Sequence, residues 1–228
     1  MTELRQGLVA LGDSITRGRG GAPALGVHPQ SWALWLAEAL ELPFTNLAID
    51  GDTAPGVVAR QLPRLKGPYD LATLCIGAND ARGLHFDPKN FEGAVDAALA
   101  ALTQQATRVL VLTLPLDLGR PPAGAKVPMA NAILRELAAR HGAVVCALDD
   151  FGGSRNVLPD AVHPTSVGMV EIADRAARAL GERGMPWELA ELEDGPLKRA
   201  RYGAWYAKQQ VRDRRRRLVE RWRYRHEL

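Results

Sequence analysis

The chain has 228 residues, of which 46% are apolar and 24% are charged, and its formal net charge at pH 7 is +3. These values are typical of a soluble globular protein that is long enough for one α/β domain. No apolar run approaches the roughly 20 residues that a membrane-spanning helix needs. The N-terminal residues lead directly into a strand-like run and leave no room for a signal peptide, so we expect a cytoplasmic protein.

Five short apolar runs alternate with helical patterns along the first 180 residues. The runs have the length and the continuous apolar character of strands that are buried on both faces. They comprise residues 8–11, 44–49, 71–76, 108–114 and 143–148. The helical patterns comprise residues 31–40, 53–65 (interrupted by Pro63), 90–105, 127–140 and 165–180.

This alternation predicts a three-layer α/β/α sandwich around a five-stranded parallel sheet, because right-handed crossovers place helices on both faces of such a sheet. Ligands of these folds bind beyond the carboxyl ends of the strands. We therefore expect the chemistry to lie in the loops that follow the five apolar runs.

Three of these loops carry side chains or glycines suited to catalysis. Ser14 follows the first run in a tight Gly-Asp-Ser turn, where a hydroxyl and a backbone N–H would face the space above the sheet. Gly51 follows the second run and lets the backbone approach a ligand closely. Asn79 follows the third run and can donate an amide hydrogen to a developing oxyanion. Taken singly, each residue is equally typical of an ordinary turn or a helix cap.

A fourth segment, Asp-Ala-Val-His-Pro, precedes the last helical pattern and contains Asp160 and His163. At this spacing the carboxylate can hold the Nδ1–H of the imidazole and leave Nε2 free to accept a proton from a serine hydroxyl. A neutral imidazole is the usual base for such a step near physiological pH.

Together, the Gly-Asp-Ser turn, the glycine and asparagine loops and the Asp-x-x-His-Pro ending resemble the GDSL family of esterases and lipases, also called SGNH hydrolases. The resemblance runs from about residue 8 to residue 180 and includes Gly168 after the His-Pro pair. It implies a flavodoxin-like arrangement of the sheet and the hydrolysis of a carboxylic ester through an acyl-serine intermediate. It implies neither a metal nor an organic cofactor.

The resemblance also implies a role for each matching residue. Ser14 would be the nucleophile, His163 the base that later protonates the leaving alcohol, and Asp160 the residue that orients His163. The oxyanion hole would consist of the backbone N–H groups of Ser14 and Gly51 and the side chain of Asn79.

The same resemblance implies that Asp13 and Asp80 fix the loops around the site. The resemblance does not identify the substrate, which could be an acetylated sugar, a lysophospholipid, a thioester or a simple ester. An acyltransferase that passes the acyl group to an alcohol would use the same residues. The alternative from another class is a non-catalytic binding protein that acts through the basic C-terminal segment, residues 198–228, and the intact set of site residues argues against it.

The C-terminal part of the chain differs in composition from the rest. We predict a hydrolase domain over residues 1–187 and a helical extension over residues 188–228. Residues 198–228 contain twelve Lys or Arg and three acidic residues. Its aromatic residues are Tyr202, Trp205, Tyr206, Trp222 and Tyr224, and its apolar residues Ala204, Val211 and Leu218 recur every seven positions.

Three interpretations of this extension compete. It could pack its aromatic residues on the domain, or bind an anionic partner such as membrane phospholipid, an acidic protein or a polyanion. The third interpretation, nucleic-acid binding, is the least favoured, because arginine with aromatic residues permits it without being diagnostic.

The two cysteines, Cys75 and Cys146, lie in strand-like runs, and their separation matches no zinc site or disulfide framework. We expect both to be reduced core residues.

Overall fold

The computed structural model describes residues 7–20, 25–182, 185–190 and 195–226, with the backbone alone at residues 185 and 219–226. Its strands are β1 (Leu8–Gly12), β2 (Phe44–Asn46), β3 (Tyr69–Cys75), β4 (Ala106–Leu112) and β5 (Val144–Cys146). Its α-helices are α1 (Ser14–Arg17), α2 (Trp32–Ala39), α3 (Ala54–Gly56), α4 (Ala78–Arg82), α5 (Pro88–Gln105), α6 (Lys126–Arg140), α7 (Ser166–Ala179), α8 (Met185–Leu189) and α9 (Pro196–His226).

The strands form one parallel sheet in the order β2-β1-β3-β4-β5. Helices α1, α2, α7 and α8 pack together on one face, and α3, α4, α5 and α6 pack together on the other. This arrangement confirms the predicted α/β/α sandwich with its five-stranded parallel sheet.

The central strands are apolar on both faces because helices cover both sides of the sheet. Every residue of β1 is buried, and β3 is buried at all but one position. Register pairs Gly12 with Cys75, so β1 and β3 end at the same level. The loops that follow these two strands consequently start side by side.

The two edge strands are shorter than their apolar runs predicted. β2 ends at Asn46 because the side chain of that residue turns the backbone: its Oδ1 accepts from the N–H of Ala48 at 3.0 Å, and its Nδ2 donates to the carbonyl of Thr16 at 3.1 Å. Leu47 is buried nevertheless. Only Leu47 and Ala48 of the run 44–49 are buried, and β2 itself is half-buried, so the predicted burial on both faces was wrong for this edge strand.

Residues 53–65 form a more irregular segment than the single interrupted helix that we predicted. A turn of α-helix is followed by a π-helical segment at Val57–Gln61 and a 3-10 turn at Leu62–Arg64. Gln61 is fully buried and faces the end of β1. π-Helical turns are frequent at functional sites, because they reorient one side chain without ending the helix.

The C-terminal extension is helical over its described part, since α9 runs from Pro196 to His226. The side chains of Trp222 and Tyr224 lie outside the described residues. The boundary between residues 187 and 188 stays a prediction. Within the described parts of the chain, no helix combines the length and the apolar character needed to cross a membrane.

Both cysteines are unpaired and buried. Burial raises the pKa of the Cys146 thiol to about 12 and that of Cys75 further above its usual range. Both therefore stay protonated at neutral pH, in keeping with their predicted place in the core.

Thr73 carries a buried hydroxyl without a hydrogen-bond partner, at the centre of β3. We expect Thr73→Val to raise the free energy of unfolding by about 1 kcal/mol, because it removes a buried polar atom and leaves the shape of the side chain unchanged. Denaturant unfolding measures the change.

Thr113 provides the matched control. Its buried hydroxyl donates to Asp149 at 3.0 Å and accepts from the N–H of Leu148 at 2.8 Å. Thr113→Val should therefore lower the free energy of unfolding by about 1–3 kcal/mol. Equal effects of the two substitutions would show that hydrogen bonding does not decide stability at these positions.

Candidate active site

Ser14 is the first residue of α1, directly beyond the end of β1. The side chain of Asp13 caps this helix by accepting from the N–H of Ile15 at 2.9 Å. Gly12 has φ +156°, and a Cβ there would lie 2.4 Å from the carbonyl oxygen of Cys75 and 2.5 Å from the hydroxyl of Thr16. A glycine is needed for this close turn, which presents Ser14 above the sheet.

Ser14, His163 and Asp160 form a chain of hydrogen bonds. The Oγ of Ser14 lies 3.0 Å from Nε2 of His163, and Nδ1 of His163 lies 2.7 Å from Oδ2 of Asp160. The structure thus brings these three residues together across 149 positions of sequence.

The ionised carboxylate of Asp160 fixes the direction of these hydrogen bonds. Burial opposes ionisation, but the hydrogen bond with His163 and the N–H groups of Val162 and His163 lower the pKa of Asp160 below its ordinary value. An ionised carboxylate can only accept hydrogen bonds, so Nδ1 of His163 must donate the proton. In the neutral imidazole, Nε2 is then free to accept the proton of Ser14.

A tight turn holds Asp160 against His163. Oδ1 of Asp160 accepts from the N–H of Val162 at 2.9 Å and from the N–H of His163 at 3.1 Å. Between them, Ala161 has φ +54°, a left-handed conformation that costs a residue with a Cβ roughly 1 kcal/mol. The N–H of Gly119 donates to the carbonyl of Ala161 at 2.7 Å and helps to hold this conformation.

Asn79 lies between the loops that follow β1 and β2. Its Nδ2 donates to the carbonyl of Asp52 at 2.8 Å and contacts Oδ2 of Asp13 at 3.4 Å. Gly77, with φ +114°, starts the short helix α4 that carries it. Asn79 is thereby held beside the loops of Ser14 and Gly51.

Gly51 is exposed and has φ +77°, and a Cβ there would meet no atom within 4 Å. Its backbone therefore borders open space. Gly51 lies in the loop after β2, and the residue that follows it, Asp52, is buried.

The sequence model of the GDSL-like Lipase/Acylhydrolase family matches residues 10–170. The chain belongs to this family. It is accordingly an ester-hydrolysing enzyme, as the resemblance of its four motifs implied. No curated protein matches the chain.

Several solved structures share this fold. An α/β hydrolase, LAE5, from the metagenome of Lake Arreo in Spain is 21% identical, with a TM-score of 0.63 over 78% of this chain and 96% of its own. The acetylxylan esterase Axe2 of Geobacillus stearothermophilus is 18% identical, with a TM-score of 0.61 over 79% and 97%. TesA is 23% identical, with a TM-score of 0.64 over 77% and 98%.

Two carboxylates brace the loops of this GDSL-like hydrolase, as we expected: Asp13 is buried and Asp80 is half-buried. Asp80 accepts from the N–H of Ala54 at 3.1 Å and 3.2 Å, and Asp13 caps α1. Burial raises the pKa of Asp13 to about 6 and also raises that of Asp80. Burying a carboxylate costs free energy, and the hydrogen bonds that Asp13 and Asp80 accept from backbone N–H groups offset part of that cost.

Sequence reasoning missed a network below the site that is centred on Gln61. Its side chain accepts from the N–H of Gly12 at 3.0 Å, donates to the carbonyl of Gly12 at 2.7 Å and donates to Asp52 at 2.6 Å. Asp52 also pairs with Arg60. No motif signals this network, because the π-helical segment that turns Gln61 inward has no pattern of its own.

Among the described residues, no group of three or more His, Cys, Asp or Glu side chains is arranged to hold a metal ion.

Gly20 packs against the candidate base. It has φ +112°, and a Cβ there would lie 2.8 Å from the Cβ of His163 and 2.6 Å from the carbonyl oxygen of Pro164. We expect Gly20→Ala to lower kcat by about 10- to 100-fold, because a displacement of His163 by about 1 Å disrupts its alignment with Ser14. Steady-state kinetics on an activated ester measures this loss.

Gly142 supplies the control for backbone strain. Its φ is +66°, but a Cβ there would meet no atom within 4 Å. Gly142→Ala should therefore cost stability without lowering kcat. A similar fall in kcat for both variants would contradict the role of close packing at Gly20.

Proposed function

We propose that Ser14, His163 and Asp160 are the catalytic triad of a carboxylesterase that works through an acyl-serine intermediate. The observation that carries this proposal is the hydrogen-bonded chain from Oγ of Ser14 through His163 to Asp160, at 3.0 Å and 2.7 Å. Membership of the lipase/acylhydrolase family supports the class of reaction.

In the first half of the reaction, Oγ of Ser14 attacks the carbonyl carbon of the ester while Nε2 of His163 takes the hydroxyl proton. The resulting tetrahedral oxyanion collapses, the bond to the alkoxy oxygen breaks, and His163 gives its proton to the leaving alcohol. Asp160 stabilises the imidazolium that forms between the two steps.

In the second half, water attacks the acyl-serine ester and passes a proton to His163. Collapse of this second intermediate releases the carboxylic acid, and the proton returns to Oγ of Ser14. The side chains of His163 and Asp160 are 27% and 36% exposed, so water has access to this part of the site.

The proposed oxyanion hole consists of the backbone N–H groups of Ser14 and Gly51 and the side chain of Asn79. Position supports it, because the three groups belong to the loops that leave β1, β2 and β3 at one edge of the sheet. The Asn79 amide donates to the carbonyl of Asp52 at 2.8 Å, which orients it, and at 3.4 Å to Oδ2 of Asp13, a long contact that we propose is exchanged for the oxyanion.

The proposed substrate is an ester with a small or lipid-like acyl group, and the proposed location is the cytoplasm. Two unpaired cysteines are usual in compartments that keep thiols reduced, and cell fractionation tests the location. Hydrolysis of p-nitrophenyl esters from acetate to laurate identifies the acyl length, and product analysis with added alcohols detects any acyl transfer.

Two substitutions test the site. Ser14→Ala should abolish turnover and labelling by a fluorophosphonate. Asn79→Ala should lower kcat by about 10²- to 10³-fold with little change in KM, since one donor to the oxyanion is lost. Kinetics on the preferred p-nitrophenyl ester measures both.

Asn90→Ala, on the exposed surface of α5, is the control and should retain wild-type kcat. Turnover by a folded Ser14→Ala variant would exclude Ser14 as the nucleophile. A fall of less than tenfold for Asn79→Ala would remove that residue from the oxyanion hole.

A further inference from the structure

We propose that Tyr202 and Tyr206 of α9 position the catalytic loop, defined as residues 147–165 between β5 and α7. This inference rests on the proposed triad, because the loop contributes Asp160 and His163 to it. The Oη of Tyr202 donates to the carbonyl of Ser154 at 2.5 Å. The Oη of Tyr206 donates to the carbonyl of Val157 at 3.2 Å.

The second of these contacts has a short path to the catalytic histidine. Val157 pairs with Pro164 in an isolated antiparallel bridge. The N–H of Leu158 donates to the carbonyl of His163 at 2.9 Å. Tyr206 therefore holds one side of a two-stranded turn whose other side carries His163.

The helix and the loop meet at these tyrosines rather than along a continuous packed surface. A cavity of about 320 Å³ lies beside the contact, between Tyr206, Phe151 and the loop after β4. A second cavity, of about 480 Å³, lies between Trp205 and Asp160. Space therefore remains on both sides of the two hydroxyl contacts, which tie α9 directly to the backbone of the catalytic loop.

The tyrosines are held in place by their neighbours on α9. The rings of Tyr202 and Trp205 stack with centroids 5.6 Å apart, and those of Tyr202 and Tyr206 lie 6.0 Å apart. The family match ends at residue 170, so this restraint comes from a part of the chain that the match does not cover.

The test is the double variant Tyr202→Phe, Tyr206→Phe, which keeps both rings and removes both hydroxyls. We expect kcat and the rate of labelling of Ser14 by a fluorophosphonate to fall about 3- to 10-fold with KM unchanged, because lost hydrogen bonds of this kind alter a conformational equilibrium by about that factor.

Tyr69→Phe is the matched control. Tyr69 is buried at the opposite end of the sheet from the site, and its hydroxyl accepts from the N–H of Lys66 at 3.2 Å. Loss of the Tyr69 hydroxyl should change thermal stability and leave kcat and labelling unchanged. Wild-type kcat and labelling in the folded double variant would overturn the positioning role. Absence of labelling in the wild-type enzyme would instead contradict the proposed function.

The opposite face of α9 carries a second inference, from an independent observation. Its large apolar side chains are exposed: Leu197 by 66%, Val211 by 52% and Leu218 by 64%. With the exposed Ala204 they recur every seven residues and form a stripe along about 32 Å of helix. We call this stripe, with its flanking cations, the outer face. Those exposed cations are Arg201, Lys208, Arg212, Arg214 and Arg215.

The charge of this segment is almost entirely positive. Residues 196–218 contain a single acidic residue, Asp213, which is half-buried and pairs with Arg217 at 2.8 Å. The outer face therefore has no carboxylate to balance its cations. Two copies of the chain that met through their outer faces would bring cation against cation, so a symmetric dimer through this face is disfavoured.

We propose that the outer face binds an anionic lipid bilayer. Aliphatic side chains can enter the boundary of the acyl chains, while lysine and arginine extend their charged ends to the phosphates. Each cation near an anionic membrane strengthens binding, and salt weakens it.

Co-sedimentation with vesicles tests this surface. The full-length protein should bind equimolar phosphatidylcholine–phosphatidylglycerol vesicles and not phosphatidylcholine alone, and salt should reverse binding. Lys208→Glu with Arg215→Glu should weaken binding at least about tenfold. The control Lys66→Glu with Lys89→Glu makes the same change in net charge on exposed residues of the domain and should retain binding.

Several outcomes would overturn the lipid assignment. These are equal binding to both vesicle types, equal loss in the two double variants, or binding to heparin or DNA without binding to anionic vesicles. The same assay on Ser14→Ala separates this inference from the proposed function, since vesicle binding should not need the nucleophile.

Discussion

In the sheet, β1 has β2 on one side and β3 on the other. The connection that follows β1 therefore runs toward one edge of the sheet, and the connection that follows β3 runs toward the opposite edge. A crevice opens above the strand ends at such a reversal. Register places the ends of β1 and β3 level with one another, at Gly12 and Cys75. Ser14 and Asn79 are brought to one site by this pairing, because each follows its strand within a few residues.

Hydrogen bonds between loops keep the crevice in shape. Asn79 joins the loops after β1 and β2, and Gln61 ties the end of β1 to Asp52 from below. Asp13 is buried and Asp80 is half-buried, and this burial raises the pKa of both carboxyl groups. Replacing such groups with apolar residues would remove the cost of burying them, but it would also leave several backbone N–H groups of the loops unpaired.

Local signals were sufficient for the layers of the fold and for the grouping of the site residues. Continuous apolar runs identified the five strands, and the positions of Ser14, Asn79 and His163 after strands or before a helix indicated one edge of the sheet. The end of β2 and the orientation of Gln61 could not be predicted from the sequence, because both depend on tertiary contacts. The bend after Asn46 needs the carbonyl of Thr16, and the inward turn of Gln61 needs the end of β1 as its partner. The contact of Tyr206 with Val157 joins residues 49 positions apart, and no spacing rule anticipates it.

The burial of Cys75 and Cys146 has a practical consequence for testing whether α9 stays docked on the domain. Both thiols are in the core and stay protonated at neutral pH, so thiol-reactive dyes will reach neither in the folded enzyme. A cysteine introduced at an exposed position of α9 would be the single labelled site of an otherwise native chain. A fluorophore there would report the docking of the helix in real time, without prior removal of the natural cysteines.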